Sequence, residues 1–360
     1  MDSAGQAIEY RAMTPPDLAA VAALLREGLQ LPEFSADYLR WKCYANPAGD
    51  ADYWLAVQDG RVVAAYGAIP YLATARGEDS RVWFTTDGFV APHLRRRGLY
   101  SRLLELTRQS LIARGDRSAF CTASRMSRPA FEKTGYYRCV PAVSYFWTAL
   151  GQHRGVGRTA GSRSWKQRAA GRLSELTGGR RRCLQAAAAA EAQELDWATP
   201  PDELESLVRA TAPANSICLA RTPAFCRWRF GRHPWRQYRG WLLREGGAPV
   251  GHVIVRGANV VDIRGRDDQA TWRTLIGLAL QALADAGESE AHVYSSGPPG
   301  LATALRRAGF LQWDRAWRPR GLYPPQTLMV AKLAAAEPEF PDVWNPASWT
   351  LQMADLDCGL

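Results

Sequence analysis

The chain has 360 residues, 47% of them hydrophobic, which is enough for two or three domains with sizeable cores. It carries a formal net charge of +10, so anionic partners suit it. It holds no run of 18 apolar residues to span a membrane, and its start (MDSAGQAIEYRAM) lacks the basic and apolar segments of a secretory signal. The seven cysteines are scattered and odd in number, with no C-x-x-C, and read as reduced thiols of a cytoplasmic protein. The five histidines show no ligand spacing, and no metal is expected.

In chain order, residues 38–64 read as a helix carrying Arg40-Trp41, a turn at Pro47, and a hairpin opening at Trp54-Leu55. Residues 81–90 (RVWFTTDGFV) are rich in β-branched and aromatic side chains and predict a strand. The turn that follows, Arg95-Arg96-Arg97-Gly98, leads into a helix over 101–114 with Leu103, Leu104 and Leu111 on one side and Gly115 as its stop. Next come a strand at 118–123, a short helix at 128–134 closed by Gly135, and a strand at 140–148. Residues 153–182 are strongly basic and read as a solvated linker, within which 164–176 could form a basic amphipathic helix. The alanine-rich run 185–192 could be helix or strand. Residues 225–251 repeat 38–64 without a gap: Arg227-Trp228, Pro234, Trp241-Leu242, Gly247 and Val250 match Arg40-Trp41, Pro47, Trp54-Leu55, Gly60 and Val63. A strand at 260–263, a helix at 274–286 and a strand at 290–294 continue this second copy, and Trp344 and Trp349 suggest that the tail docks.

A strand end, a basic turn with one glycine and a helix start can hold a phosphate, because the first helical amides lack partners and the helix dipole is positive there. Gly98 allows close backbone approach, and Arg95, Arg96 and Arg97 add charge. The run is neither G-x-x-x-x-G-K-[ST] nor G-x-G-x-x-G.

Residues 90–103, with Arg95 and Gly98 as fixed points, resemble the acyl-CoA pyrophosphate loop of the GNAT N-acetyltransferase superfamily, and residues 131–136 (FEKTGY) resemble its Y-E-K-x-G-F signature. The resemblance implies an α/β (α+β) fold of two tandem GNAT-like domains, each a mostly antiparallel mixed sheet flanked by helices. The expected divisions are 1–150 for the acyl-CoA-binding domain, 151–189 for the linker, 190–335 for a degenerate second domain and 336–360 for a docking tail. It implies acyl transfer, with acetyl-CoA or another acyl-CoA as co-substrate, to an amine of a small molecule or saccharide precursor. A non-catalytic acyl-CoA-binding module and an aminoacyl-tRNA-dependent transferase are the alternatives; DNA is not an expected partner.

By the same resemblance Phe89, Val90, Arg95, Arg96, Arg97, Gly98, Leu99, Tyr100 and Ser101 would hold the acyl-CoA. Asp87 is the candidate base or acceptor anchor, with capping of a turn or pairing with an arginine as its structural alternative, and Tyr136 is the candidate proton donor. Phe131 stands where many members carry a tyrosine acid, so Tyr100 and Tyr137 are further donor candidates. The second copy has Asp262 in place of Asp87, but Asp267 and Asp268 where the phosphate loop would be, and is expected not to bind acyl-CoA.

Overall fold

The computed structural model describes residues 7–124, 126–150, 178–313, 327–333 and 340–356. The first half runs β1 (Glu9–Ala12), α1 (Leu18–Leu29), α2 (Ala36–Tyr44), β2 (Asp52–Gln58), β3 (Arg61–Ala75), β4 (Glu78–Val90), α3 (Leu99–Ala113), β5 (Ser118–Ala123), α4 (Arg128–Lys133), β6 (Tyr137–Cys139) and β7 (Ser144–Ala149). The second runs α5 (Gly179–Ala188), β8 (Glu191–Glu194), α6 (Glu203–Thr211), β9 (Ile217–Leu219), α7 (Pro223–Cys226), β10 (Arg239–Glu245), β11 (Ala248–Arg256), β12 (Asn259–Gly265), α8 (Gln269–Asp285), β13 (Glu290–Ser295), α9 (Pro299–Arg307) and β14 (Leu311–Trp313). Then come β15 (Thr327–Lys332), β16 (Trp349–Thr350) and α10 (Met353–Leu356).

Local sequence accounts for most of these elements. Ser35 caps α2, its hydroxyl accepting from the Tyr38 amide at 3.1 Å. The α3 leucines 99, 103, 104 and 111 are buried against the first sheet, and Trp272, Leu275, Ile276 and Leu283 do the same for α8. The alanine-rich run is both helix and strand, since α5 ends at Ala188 and β8 begins at Glu191. The helix expected at 164–176 lies outside the described residues.

Two mixed sheets result, in the order β1-β2-β3-β4-β5-β15-β6 and β14-β7-β13-β12-β11-β10-β8. Most neighbours are antiparallel; β4–β5, β12–β13 and β9–β16 are parallel. Strand for strand the two orders correspond when the second is read in reverse, but the strand at the sixth position is exchanged. β7, from the first half, lies between β13 and β14, and β15, from the second half, lies between β5 and β6. The strand expected at 140–148 as part of the first domain therefore begins later, at Ser144, and completes the second sheet. For the same reason the divisions at 150 and 335 do not separate the sheets. Alternation of apolar and polar residues shows that a segment is a strand, not which sheet edge it joins.

The repeat explains how the halves meet. The Trp41 and Trp228 indoles stack with centroids 4.8 Å apart and planes 17° from parallel. Trp41 Nε1 donates to the Trp228 carbonyl at 3.1 Å, and Trp228 Nε1 donates to the Trp41 carbonyl at 3.0 Å. Equivalent residues make reciprocal bonds, so a local two-fold relation passes between them. The tail also docks, as its tryptophans suggested. Trp349 is 1% exposed and donates from Nε1 to Val343 O at 2.8 Å, while Trp344 Nε1 donates to Val330 O at 3.2 Å. Replacing Trp228 by Ala removes a buried indole and the partner of Trp41 together. Urea unfolding should show a loss of about 3–5 kcal/mol, and a loss under about 1 kcal/mol would mean that the pair does not hold the halves together.

Candidate active site

β4 and β5 pair only at Trp83–Ala119 and Phe84–Phe120 and then part, leaving an opening toward the end of β4. On the other side of β4, its register with β3 slips so that Tyr66 has no partner, and Asp87 takes φ +58° at the bulge. Beyond the bulge the Ala91 amide donates to Val63 O at 2.8 Å. Alternation along an antiparallel ladder then turns the Phe89 amide toward β3 and the Val90 amide toward the opening. Of Phe89 and Val90, both expected to hold the acyl-CoA, Val90 is therefore the one whose amide faces the opening. The Phe89 ring packs instead on α1, where a Cβ at Gly28 would lie 2.1 Å from it.

The basic loop follows. Arg96 (φ +65°) and Gly98 (φ +82°) both adopt the left-handed region, and α3 starts at Leu99. This backbone turns successive amides toward one place. The amides of Arg97, Gly98, Leu99, Tyr100 and Ser101 make no hydrogen bond to the described residues. Arg95 folds back, its Nε donating to Val90 O at 3.2 Å and its guanidinium 5.4 Å from the Phe89 ring centroid. It braces the loop against β4, while the exposed Arg96 and Arg97 make no ion pair with the described residues.

Asp87 is not placed as an open base would be. Its carboxylate accepts from Lys42 Nζ at 2.7 Å, Tyr53 Oη at 2.6 Å and Thr86 Oγ1 at 2.9 Å. Lys42 and Asp87 are both buried, and each finds in the other the hydrogen-bonding partner that water would otherwise supply. The cationic partner of Asp87 is not the arginine of the structural alternative but a lysine on α2, directly after Trp41. Tyr136 lies in a different environment, on the flank of α3 with the Arg108 guanidinium 4.9 Å from its ring centroid. Burial raises its phenol above the usual tyrosine range, and its hydroxyl has no partner among the described residues. Phe131 and Tyr137 meet edge to face at 4.8 Å inside the opening, and the Tyr100 ring lies there too. Burial pushes the thiols of Cys121, on β5, and Cys43, beside Lys42, up to about 12, so neither is a nucleophilic thiolate at neutral pH. Among the described residues no three His, Cys, Asp or Glu side chains gather as a metal site.

The equivalent place in the second half is filled by the chain itself. β12 and β13 pair at Asn259–His292 and Val260–Val293 and then part. α10 packs on both strands, and Ser295 bridges to Gln352. Asp355 accepts from Arg221 Nη2 at 2.6 Å and from Arg264 Nη2 at 3.0 Å. Asp262, the counterpart of Asp87, accepts from Arg221 Nε at 2.6 Å and Arg264 Nε at 3.1 Å. At the start of α8, Asp268 accepts from the Thr271 amide at 2.8 Å and Asp267 from Trp272 Nε1 at 2.7 Å. A carboxylate thus caps the amides that in α3 are left open. The tail's part in this was not legible in the sequence, because Asp355 reaches Arg221 across 134 residues.

Several comparisons bear on this arrangement. Residues 9–139 match the family model described as an acetyltransferase (GNAT) domain. The fold resembles a GCN5-related N-acetyltransferase from Anabaena variabilis, at a TM-score of 0.63 and 10% identity, over 91% of this chain and 73% of that one. A GCN5-related N-acetyltransferase from Kribbella flavida gives 0.57 at 13% identity, over 92% and 72%. A tandem GNAT protein from the clavulanic acid biosynthesis pathway gives 0.57 at 15% identity, over 92% of this chain and all (100%) of that one. No functionally curated protein matches the chain by sequence.

Burial alone would raise the Asp262 pKa, but Arg221 and Arg264 outweigh it and hold the carboxyl well below the usual carboxylate range. A depressed pKa stabilises the fold above the unfolded value of about 3.9 and loses that contribution as pH falls further. Asp262→Asn should lower stability by about 3–5 kcal/mol at pH 7. Denaturant midpoints of parent and variant should keep a constant gap from pH 7 to about 5 and converge below about pH 4. A gap that widens in acid would contradict the assignment.

Proposed function

From the match of residues 9–139 to a GNAT acetyltransferase domain and the likeness of the fold to a tandem GNAT protein, we propose a cytoplasmic acyl-CoA-dependent N-acyltransferase. It would move an acyl group, acetyl in the simplest case, to an amine of a small molecule or saccharide precursor. The observation that carries this reading is the row of amides from Arg97 to Ser101, without a partner among the described residues, which ends at the opening between β4 and β5. A pyrophosphate fits that row by charge and hydrogen bonding. The thioester would then lie along β4, with the Val90 amide donating to the carbonyl oxygen as negative charge develops on it.

The amine attacks this carbonyl directly, since burial keeps the Cys121 thiol on β5 from carrying the acyl group first as a thiolate. Asp87, committed to Lys42, Tyr53 and Thr86, acts as a positioning residue that fixes the bulge and so aims the backbone after it. The ammonium proton leaves through water, and the CoA thiolate departs with a phenol hydroxyl of the opening nearby. One observation favours a second reading, a non-catalytic acyl-CoA-binding module: neither Asp87 nor Phe131 offers a ready acid or base.

Isothermal titration of the whole chain with acetyl-CoA tests the reading. The parent should bind, and Gly98→Asp, which adds a side chain and a negative charge at φ +82°, should weaken binding by at least tenfold. Arg266→Ala, at the equivalent turn of the second half, should leave the affinity unchanged. No binding to the parent overturns the proposal; binding without thiol release over an amine panel favours the second reading.

A further inference from the structure

Aromatic rings, rather than backbone, close the opening between β4 and β5. Gly88, next to the bulge, marks where two of them converge. A Cβ there would lie 2.6 Å from Tyr100 Cε2, 2.8 Å from its hydroxyl and 2.9 Å from Tyr66 Cδ2. The absence of a side chain at this one position is what admits both rings. They meet edge to face with centroids 5.6 Å apart. Phe131 packs on both, at 6.1 Å from Tyr100 and 6.5 Å from Tyr66. Deeper still, the Thr85 and Tyr137 hydroxyls bond at 3.1 Å, one residue past the last pairing of β4 with β5. Tyr66 is 1% exposed, and its hydroxyl has no partner among the described residues. Tyr100 itself stands on the first turn of α3, within the row of open amides, so one residue touches both the proposed phosphate end and the proposed acyl end.

We propose that Tyr100, backed by Tyr66, sets the length of the acyl group: acetyl and propionyl fit above Gly88, and medium chains do not. The proposal rests on the acyl-CoA reading and adds the co-substrate class to it. A channel with spare room rewards each buried methylene with roughly fourfold tighter binding. A close-packed cluster does the reverse, because the chain must displace rings that already fill the space. The sign of the dependence on chain length therefore reports which situation holds.

The test needs no acceptor. Free CoA, acetyl-CoA, propionyl-CoA and octanoyl-CoA are titrated into the full chain by calorimetry. Octanoyl-CoA should bind the parent at least tenfold more weakly than acetyl-CoA. Tyr100→Ala should bring the octanoyl-to-acetyl affinity ratio to one or above, and Tyr100→Phe, which keeps the ring, should retain the parent's ratio. Tyr100→Leu replaces the alanine variant if the latter does not fold. The proposal is overturned if the parent binds octanoyl-CoA as tightly as acetyl-CoA, or if removing the ring leaves the ratio unchanged. Failure of free CoA to bind overturns the acyl-CoA reading itself, and this proposal with it.

Discussion

The mutual bond between Trp41 and Trp228 governs the rest of the molecule. Each indole stacks on the other and donates to the other's backbone carbonyl, so neither half can satisfy its own tryptophan. The exchange of β7 and β15 makes the same demand at the level of the sheets. Either half alone would leave a gap between its fifth and sixth strands and expose the ladder groups on both sides of it. Folding is thus one event for both halves, and the closing contacts lie far apart in the chain. Slow formation is expected of such a topology, in exchange for halves that are not separately stable.

A shared scaffold carries two unlike clefts. In both sheets the central parallel pair parts after two residues, and an aspartate stands at the neighbouring bulge, held by buried cations. The difference lies in what enters. In the second half, Asp268 caps the helix amides and α10 brings Asp355 onto Arg221 and Arg264. The carboxylates of the chain take the places that ligand oxygens could otherwise take. In the first half the amides at the start of α3 stay open among the described residues, and the rings of Tyr66, Tyr100, Phe131 and Tyr137 gather in the cleft. Lys42 and Trp41 are adjacent in sequence, so the residue that pins the halves together also delivers the cation that fixes the bulge. Interface and site are coupled through a single turn of α2.

What could be read from the sequence was local. The basic turn at the start of α3 was legible because a glycine, its basic neighbours and a helix start act within a few residues. The repeat was legible because two tryptophans recur at one spacing, although only the structure shows that Trp41 and Trp228 face each other. The strand exchange was hidden, since the patterns of β7 and β15 fit either sheet. The partner of Asp87 was hidden for a related reason: Lys42 lies 45 residues away and nothing in its neighbourhood marks it as buried. Tyr136 had the right residue type, but its ring turns to the flank of α3, a choice made by packing against Arg108. Tyr100 was noticed as a departure at the helix start, and its meaning depended on Gly88 across the cleft.

The central claim is that one of two related clefts remains available to a ligand while the chain fills the other. Native mass spectrometry of the whole chain with excess acetyl-CoA tests it most directly. One acetyl-CoA retained per chain is the predicted result; two per chain, or one that survives Gly98→Asp, would contradict it.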